Sequence, residues 1–242
     1  MIRFLYRAEM KETSSEELKN CLKPTWFIDH DSPVIIAFAK RVIGDCAGND
    51  IDKGIRLFYA VRDEIRYDPY GIELNREGFK ASAILTRRRG YCVAKAIVLA
   101  ALARVVSIPS RIGFADVRNH LTTERLKSLM KTDVFHYHGF TELFIRGRWV
   151  KATPTFNMSL CNRFGVKPLD FDGCHDALFH EFDAKGNRHM EYIKYHGSFA
   201  DFPYEVVINF LKNDYPELFD DNGHLINGDF EKEAAEDRNS AT

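Results

Sequence analysis

The chain has 242 residues, with 34 Lys and Arg against 35 Asp and Glu, 45% apolar residues and 29% charged ones. At about 150 residues per domain this favours one elaborated domain over two, and burial of about 70% of the unfolded surface makes a metal or disulfide framework unnecessary. A net charge of -1 removes the general electrostatic case for nucleic acid, and no apolar run approaches the roughly 18 residues of a membrane span.

The opening MIRFLYRAEMKE lacks the apolar stretch and cleavage site of a signal peptide. Cys21, Cys46, Cys92, Cys161 and Cys174 are odd in number and contain no CxxC pair. That pattern is neither a disulfide framework nor a zinc signature, and it suits a reducing compartment. A cytoplasmic globular protein without cofactor or metal is expected.

Ser32-Pro33 marks a helix start, followed by the apolar VIIAFAKRVI. Ile55, Phe58, Tyr59, Val61 and Ile65 recur at helical spacing, predicting a second helix over 51–66. YDPYGIELNREG has the turn formers of a loop, and Ser82 to Leu85 forms a turn or short helix. From Cys92 to Val106 the sequence CVAKAIVLAALARVV is apolar on every face, and a helix of that kind is buried. Ser107-Ile-Pro ends it. The period then changes to two: strands are expected at 111–116, 137–145 and 148–152, with Arg146-Gly147 as a tight turn and residues 118–134 as a polar helical insertion. Farther on, a Gly186-Asn187 turn separates strands at 178–182 and 191–195, and a helix covers 204–213. Helices followed by antiparallel strands give an α+β class. The expected organisation is one domain over 1–228, with a core at about 32–157 and an extension over 158–228. The polar residues 229–242 read as a disordered tail.

Cys92 stands apart because it opens the buried helix. A helix N-terminus favours a thiolate and offers free N–H groups for an oxyanion, and Arg87, Arg88 and Arg89 lie just upstream. Such a nucleophile needs a histidine brought close by the fold. His138 opens the strand HGFTELFI, with His136 a rival two residues earlier on the same strand and hence on the same face.

The stretch RRGYCVAKAIVLAALARVVSIPSRIG resembles the G-x-C-x-x-x-A block of the transglutaminase-like superfamily, and HGFTELFIRGRWVKATPT resembles its H-x-W-x-E and W-x-x-x-D-P-T strands. The resemblance covers about Ser82 to Asn157 and implies a papain-like core, with a buried helix packed on an antiparallel sheet. It implies Cys92 as nucleophile, His138 as general base and acid, and position 153 as the residue that orients the histidine. There the family has Asp and this chain has Thr153. Phe140 and Ser107 replace the usual Trp and Gly. A threonine hydroxyl can accept a ring N–H but supplies no full charge, and loss of the carboxylate from a serine-protease triad costs about 10⁴ in rate. Asp170, Asp172 or Asp176 could supply a replacement carboxylate.

The resemblance implies acyl transfer from amide or peptide bonds, as amidase, peptidase, deamidase or amine transferase, with a protein, peptide or small amide as substrate. The lack of a calcium-loop signature leans toward hydrolysis. The alternative is a catalytically weakened binding or scaffold module. A weaker similarity is to arylamine N-acetyltransferases, which carry an R-G-x-C element. Plain readings accompany each residue. Cys92 can be a small core residue, Thr153 a strand residue, and the three arginines a solvated face. His175 and His180 do not share a helix face, which argues against a metal pair. Tyr67, Tyr70 and Tyr91 stay unassigned.

Overall fold

The computed structural model describes residues 13–45, 48–119, 122–179 and 190–240. Its first half is helical. The short α1 (Ser15–Asn20) is capped by Ser14, whose hydroxyl accepts the Glu17 N–H. In α2 (Pro33–Ile43) the proline takes the first turn as expected, although Ser32 makes no side-chain cap. α3 (Asp50–Glu64) starts at Asn49, whose side chain accepts the N–H groups of Ile51 and Asp52. After it the two-residue β1 (Arg66–Tyr67) pairs in parallel with β2 (Arg89–Gly90), on either side of α4 (Ala81–Arg87).

The central helix is α5 (Cys92–Val105), in which every residue from Cys92 to Arg104 is buried. It packs against α2, α3 and α4 and against the first two strands of the main sheet. Its all-round apolarity requires this, and its two charged residues are accommodated individually. The Lys95 side chain, 0% exposed, donates to the Arg62 carbonyl at 2.9 Å and the Ile65 carbonyl at 2.8 Å, closing the C-terminus of α3. The Arg104 guanidinium bonds the carbonyls of Lys23, Ser110 and Ala200. The helix ends in a paired turn: Ile108 N–H reaches the Ala103 carbonyl and Ser107 N–H the Arg104 carbonyl. That motif needs a left-handed residue, and Ser107 adopts φ 65° where glycine would be free of strain. The Gly usual in this block of the family has its reason here.

The main sheet contains β3 (Ser110–Asn119), β4 (Val134–Ile145), β5 (Arg148–Ala152) and β6 (Met190–Phe199), in antiparallel order β5-β4-β3-β6. Arg146 and Gly147 both have positive φ, the turn that matches the twist of a two-residue hairpin. The α+β class and the buried helix on an antiparallel sheet follow the sequence reading. Several boundaries do not. β3 and β4 are longer than expected, so the insertion shrinks to α6 (Glu124–Met130), with strand residues running into it from both sides. A seventh helix, α7 (Met158–Phe164), has no counterpart in the sequence reading. The strand expected at 178–182 is not formed by Leu178 and Phe179, and its remainder and the Gly186-Asn187 turn lie outside the described residues.

α8 (Tyr204–Asp214) is where the pattern placed it. The expected tail is instead α9 (Phe230–Ser240). Phe230 packs on the Tyr67 ring at 5.4 Å, and Glu233 accepts from Tyr70 and Thr123 while pairing with Arg125. A polar composition hid this because its carboxylate is satisfied by distant partners rather than by water.

Candidate active site

Cys92 is the first residue of α5, preceded by Tyr91 as a cap without a side-chain bond. Gly139, on β4, passes so close that a Cβ there would lie 2.8 Å from the Val93 Cα. This approach brings the Gly139 N–H to the Cys92 thiol, together with the N–H groups of Val93 and Cys92 itself. His138 is the preceding residue, so the backbone of β4 carries it to the part of the sheet that meets the start of α5. Cys92 is 7% exposed and His138 5%.

Burial governs both groups. It pushes the Cys92 thiol up to about 11, against the three N–H groups, which favour the thiolate. The sequence reading expected a depressed thiol at a helix terminus; here desolvation outweighs the helix end. The three arginines upstream do not reach it. Arg87 bonds the Gly78 carbonyl, Arg88 pairs with Glu64, and Arg89 lies 3.8 Å from Asp68. Burial also drives His138 down to about 4. The pair therefore rests as neutral thiol and neutral imidazole. Phe179 lies over the imidazole at 5.5 Å, and Tyr67 and Tyr91 flank the thiol, their own ionisation suppressed by burial and by Cys92.

This burial has a consequence for stability. Between pH 6.5 and 4 the unfolded chain takes up a proton at position 138 that the folded chain refuses. Folding stability therefore falls as pH drops through that window, by about 3 kcal/mol from this residue at its foot. Urea midpoints for the wild type and a His138→Gln variant at pH 7, 5.5 and 4 should diverge in acid, with the variant the less sensitive. Parallel curves would refute the burial argument.

Thr153 sits just beyond β5, 1% exposed, its N–H on the Ala177 carbonyl. Its hydroxyl has no hydrogen-bond partner, and neither has His138 Nε2. Threonine 153 and His138 are thus not bonded to each other. The three candidate replacement carboxylates are occupied elsewhere: Asp170 faces Arg62 and Lys167, Asp172 the His175 ring at 2.7 Å, and Asp176 Lys151. His180 lies outside the described residues.

His136 and His138 do not share a face. Tyr137 has φ 52° and the β3–β4 register slips between Ala115 and Val117, so alternation is broken between the two histidines. His136 lies against Phe210 and has Nδ1 3.2 Å from the Asp116 carboxylate, whose same oxygen takes His196 Nε2 at 2.7 Å. Tyr215 accepts the His136 N–H and donates to the Val134 carbonyl. The sequence reading missed this buried Asp116 cluster, because register shifts on both sides of β3 accompany it and a period-two pattern carries no sign of them.

Residues 36–154 match the family model of the transglutaminase-like superfamily. They form a transglutaminase-like superfamily domain. It carries all three sequence-predicted site residues. No curated protein matches the chain. Among solved structures, a proposed cysteine protease from Cytophaga hutchinsonii is similar with 17% identity and a TM-score of 0.45, over 78% of this chain and 57% of that one. A proposed protease from Parabacteroides distasonis is similar with 15% identity and a TM-score of 0.35, over 53% of this chain and 26% of that one. The chain thus spans less than two thirds of either protein. Among the described residues, no helix is long and apolar enough to cross a membrane.

Proposed function

We propose that the protein is a cysteine-dependent acyl-transfer enzyme acting on amide or peptide bonds, with Cys92 as nucleophile and His138 as proton carrier. The observation that carries this reading is the seating of the Cys92 thiol at the α5 N-terminus against the Gly139 N–H, one residue from His138, inside the family domain. His138 would take the thiol proton as sulfur attacks the carbonyl carbon, and return it to the leaving amine as the C–N bond breaks. Water would then add to the thioester, releasing a carboxylic acid and restoring the thiol. The N–H groups at the helix start would turn from the thiol to the developing oxyanion. A protein or peptide substrate and a reducing, cytoplasmic setting suit this chemistry. Productive reaction needs the cover over the pair to open, since a thiol held near 11 is almost fully protonated at neutral pH.

A scaffold role has one observation in its favour: the neutral, covered pair with no carboxylate bonded to the imidazole. Iodoacetamide labelling followed by peptide mass mapping separates the readings. For an enzyme, Cys92 labels faster than the buried Cys21 and Cys161, and His138→Gln slows it. Labelling of Cys92 no faster than Cys21, unchanged by His138→Gln, would establish the scaffold.

A further inference from the structure

Beside His138 lies a cavity of about 10 Å³, lined by Tyr67, Asn119, His138 and Thr155 among apolar neighbours that include Val117 and Phe156. Its volume is about that of one water-sized sphere, and a buried water is stable only where two to four polar groups can hold it. Two of the lining residues are more than nine-tenths buried and carry a polar atom without a hydrogen-bond partner: His138 Nε2 and Thr155 Oγ1. An unmet ring nitrogen and an unmet hydroxyl on residues that line one small cavity are a costly arrangement unless something joins them. Thr153, at the position where the family has Asp, does not line this cavity.

The strand geometry explains why position 155 rather than 153 is the neighbour. Thr141 pairs with Ala152 across β4 and β5. Extended past the end of β5 at Ala152, that antiparallel register would set residue 153 opposite Phe140 and residue 155 opposite His138. A larger cavity of about 380 Å³ opens elsewhere, among Glu17, Cys21, Arg111 and Ser198, and touches none of the site residues.

We propose that Thr155, through a single buried water in this cavity, is the positioning residue for His138. Resting on the Cys92–His138 reading, this assigns to Thr155 and the water the orienting task that the aspartate performs in the family. The water accepts the Nε2–H of the neutral imidazole and donates to Thr155 Oγ1. That fixes the tautomer and leaves Nδ1 as the basic nitrogen for the thiol. When His138 takes the thiol proton, Nε2–H keeps its acceptor and no second proton moves. A neutral relay fixes geometry without adding charge, which fits an imidazole held at low basicity until the site opens.

The test is the ring tautomer, read by ¹⁵N chemical shifts of histidine-labelled protein at pH 7, with the His138 signals assigned by their loss in His138→Gln. In the wild type the shifts report a protonated Nε2 and a bare Nδ1. Thr155→Val, which keeps the shape and removes the hydroxyl, moves them toward a mixture, Thr155→Ser restores them, and Thr153→Val leaves them in place. Iodoacetamide capture of Cys92 slows about tenfold in Thr155→Val and less than twofold in Thr153→Val. Unchanged shifts in a folded Thr155→Val protein, or an equal change in Thr153→Val, overturns the assignment. If wild-type Cys92 proves unreactive while the tautomer pattern follows Thr155, the catalytic reading fails and the positioning role of Thr155 stands.

Discussion

Replacing Lys95 with alanine lowers the melting temperature by about 10 °C. The side chain has no solvent exposure and its ammonium closes the last turn of α3 through the Arg62 and Ile65 carbonyls. Truncation leaves a cavity in the middle of the core and two carbonyls without this partner, together about 4 kcal/mol. In a chain of this size each kcal/mol moves the transition by about 2–4 °C. Lys95→Met keeps most of the volume and so costs less, about 2 kcal/mol. It also changes the pH dependence. Burial holds Lys95 near 7 despite the nearby Asp63 carboxylate, whereas in the unfolded chain it titrates near 10.4. From pH 7 upward the folded form has released a proton that the unfolded form still binds, so the wild type gains stability as pH rises. The gain from this residue is about 2 kcal/mol by pH 9; above about pH 8.5 the Cys92 and Cys161 thiols, held near 11, act in the opposite direction in the wild type and both variants alike. Differential scanning calorimetry of both variants between pH 6.5 and 9 reads this. A methionine variant with the same alkaline rise as the wild type would show that Lys95 is not the group responsible.

Gly139→Ala should be nearly as damaging, for a different reason. The added Cβ meets the Val93 Cα at 2.8 Å and its Cγ2 at 2.9 Å, so a backbone must move rather than a flexible side chain. Separating β4 from the start of α5 costs about 3 kcal/mol. The strain falls at the contact that seats the Cys92 thiol. Local opening should therefore become more frequent, and iodoacetamide should reach Cys92 roughly tenfold faster even as the melting temperature falls, a factor that corresponds to about 1.4 kcal/mol. Lower stability with unchanged labelling would mean that strain spreads through the sheet and the thiol is covered by something other than this contact.

The two residues affected differ in how far their roles could be read beforehand. Cys92 and His138 were legible as candidates because each sits in a marked pattern: the first residue of a helix apolar on every face, and the H-x-aromatic-x-Glu run within β4. The hairpin at Arg146-Gly147 was equally legible, since only certain turns suit a two-residue connection. Lys95 was legible as buried but not as a helix cap, because its carbonyl partners belong to α3, about thirty residues away. The α9 helix was read as a tail because Glu233 gives no sign in sequence of Tyr70, Thr123 and Arg125.

The resemblance to the family's W-x-x-x-D-P-T strand pointed to Thr153 by position, and position is what the sequence controls. Whether a hydroxyl faces the imidazole depends on strand register and on the space left between packed side chains, and these place Thr155 at the His138 cavity. The reversal of the thiol's expected acidity has a similar origin. A helix terminus is a local property visible in sequence, whereas desolvation depends on what distant segments, including Phe179 and Tyr215, lay over the site. The amino-acid pattern by itself determined the α+β class, the buried helix and its hairpin, because periodicity and apolar content act through neighbours along the chain. Only the tertiary structure decided that Gly139, next to His138, meets the start of α5, how buried Cys92 and His138 are, and which hydroxyl-bearing residue lines the cavity at His138. Bulges, close approaches and burial arise between residues far apart in sequence, and no local period encodes them.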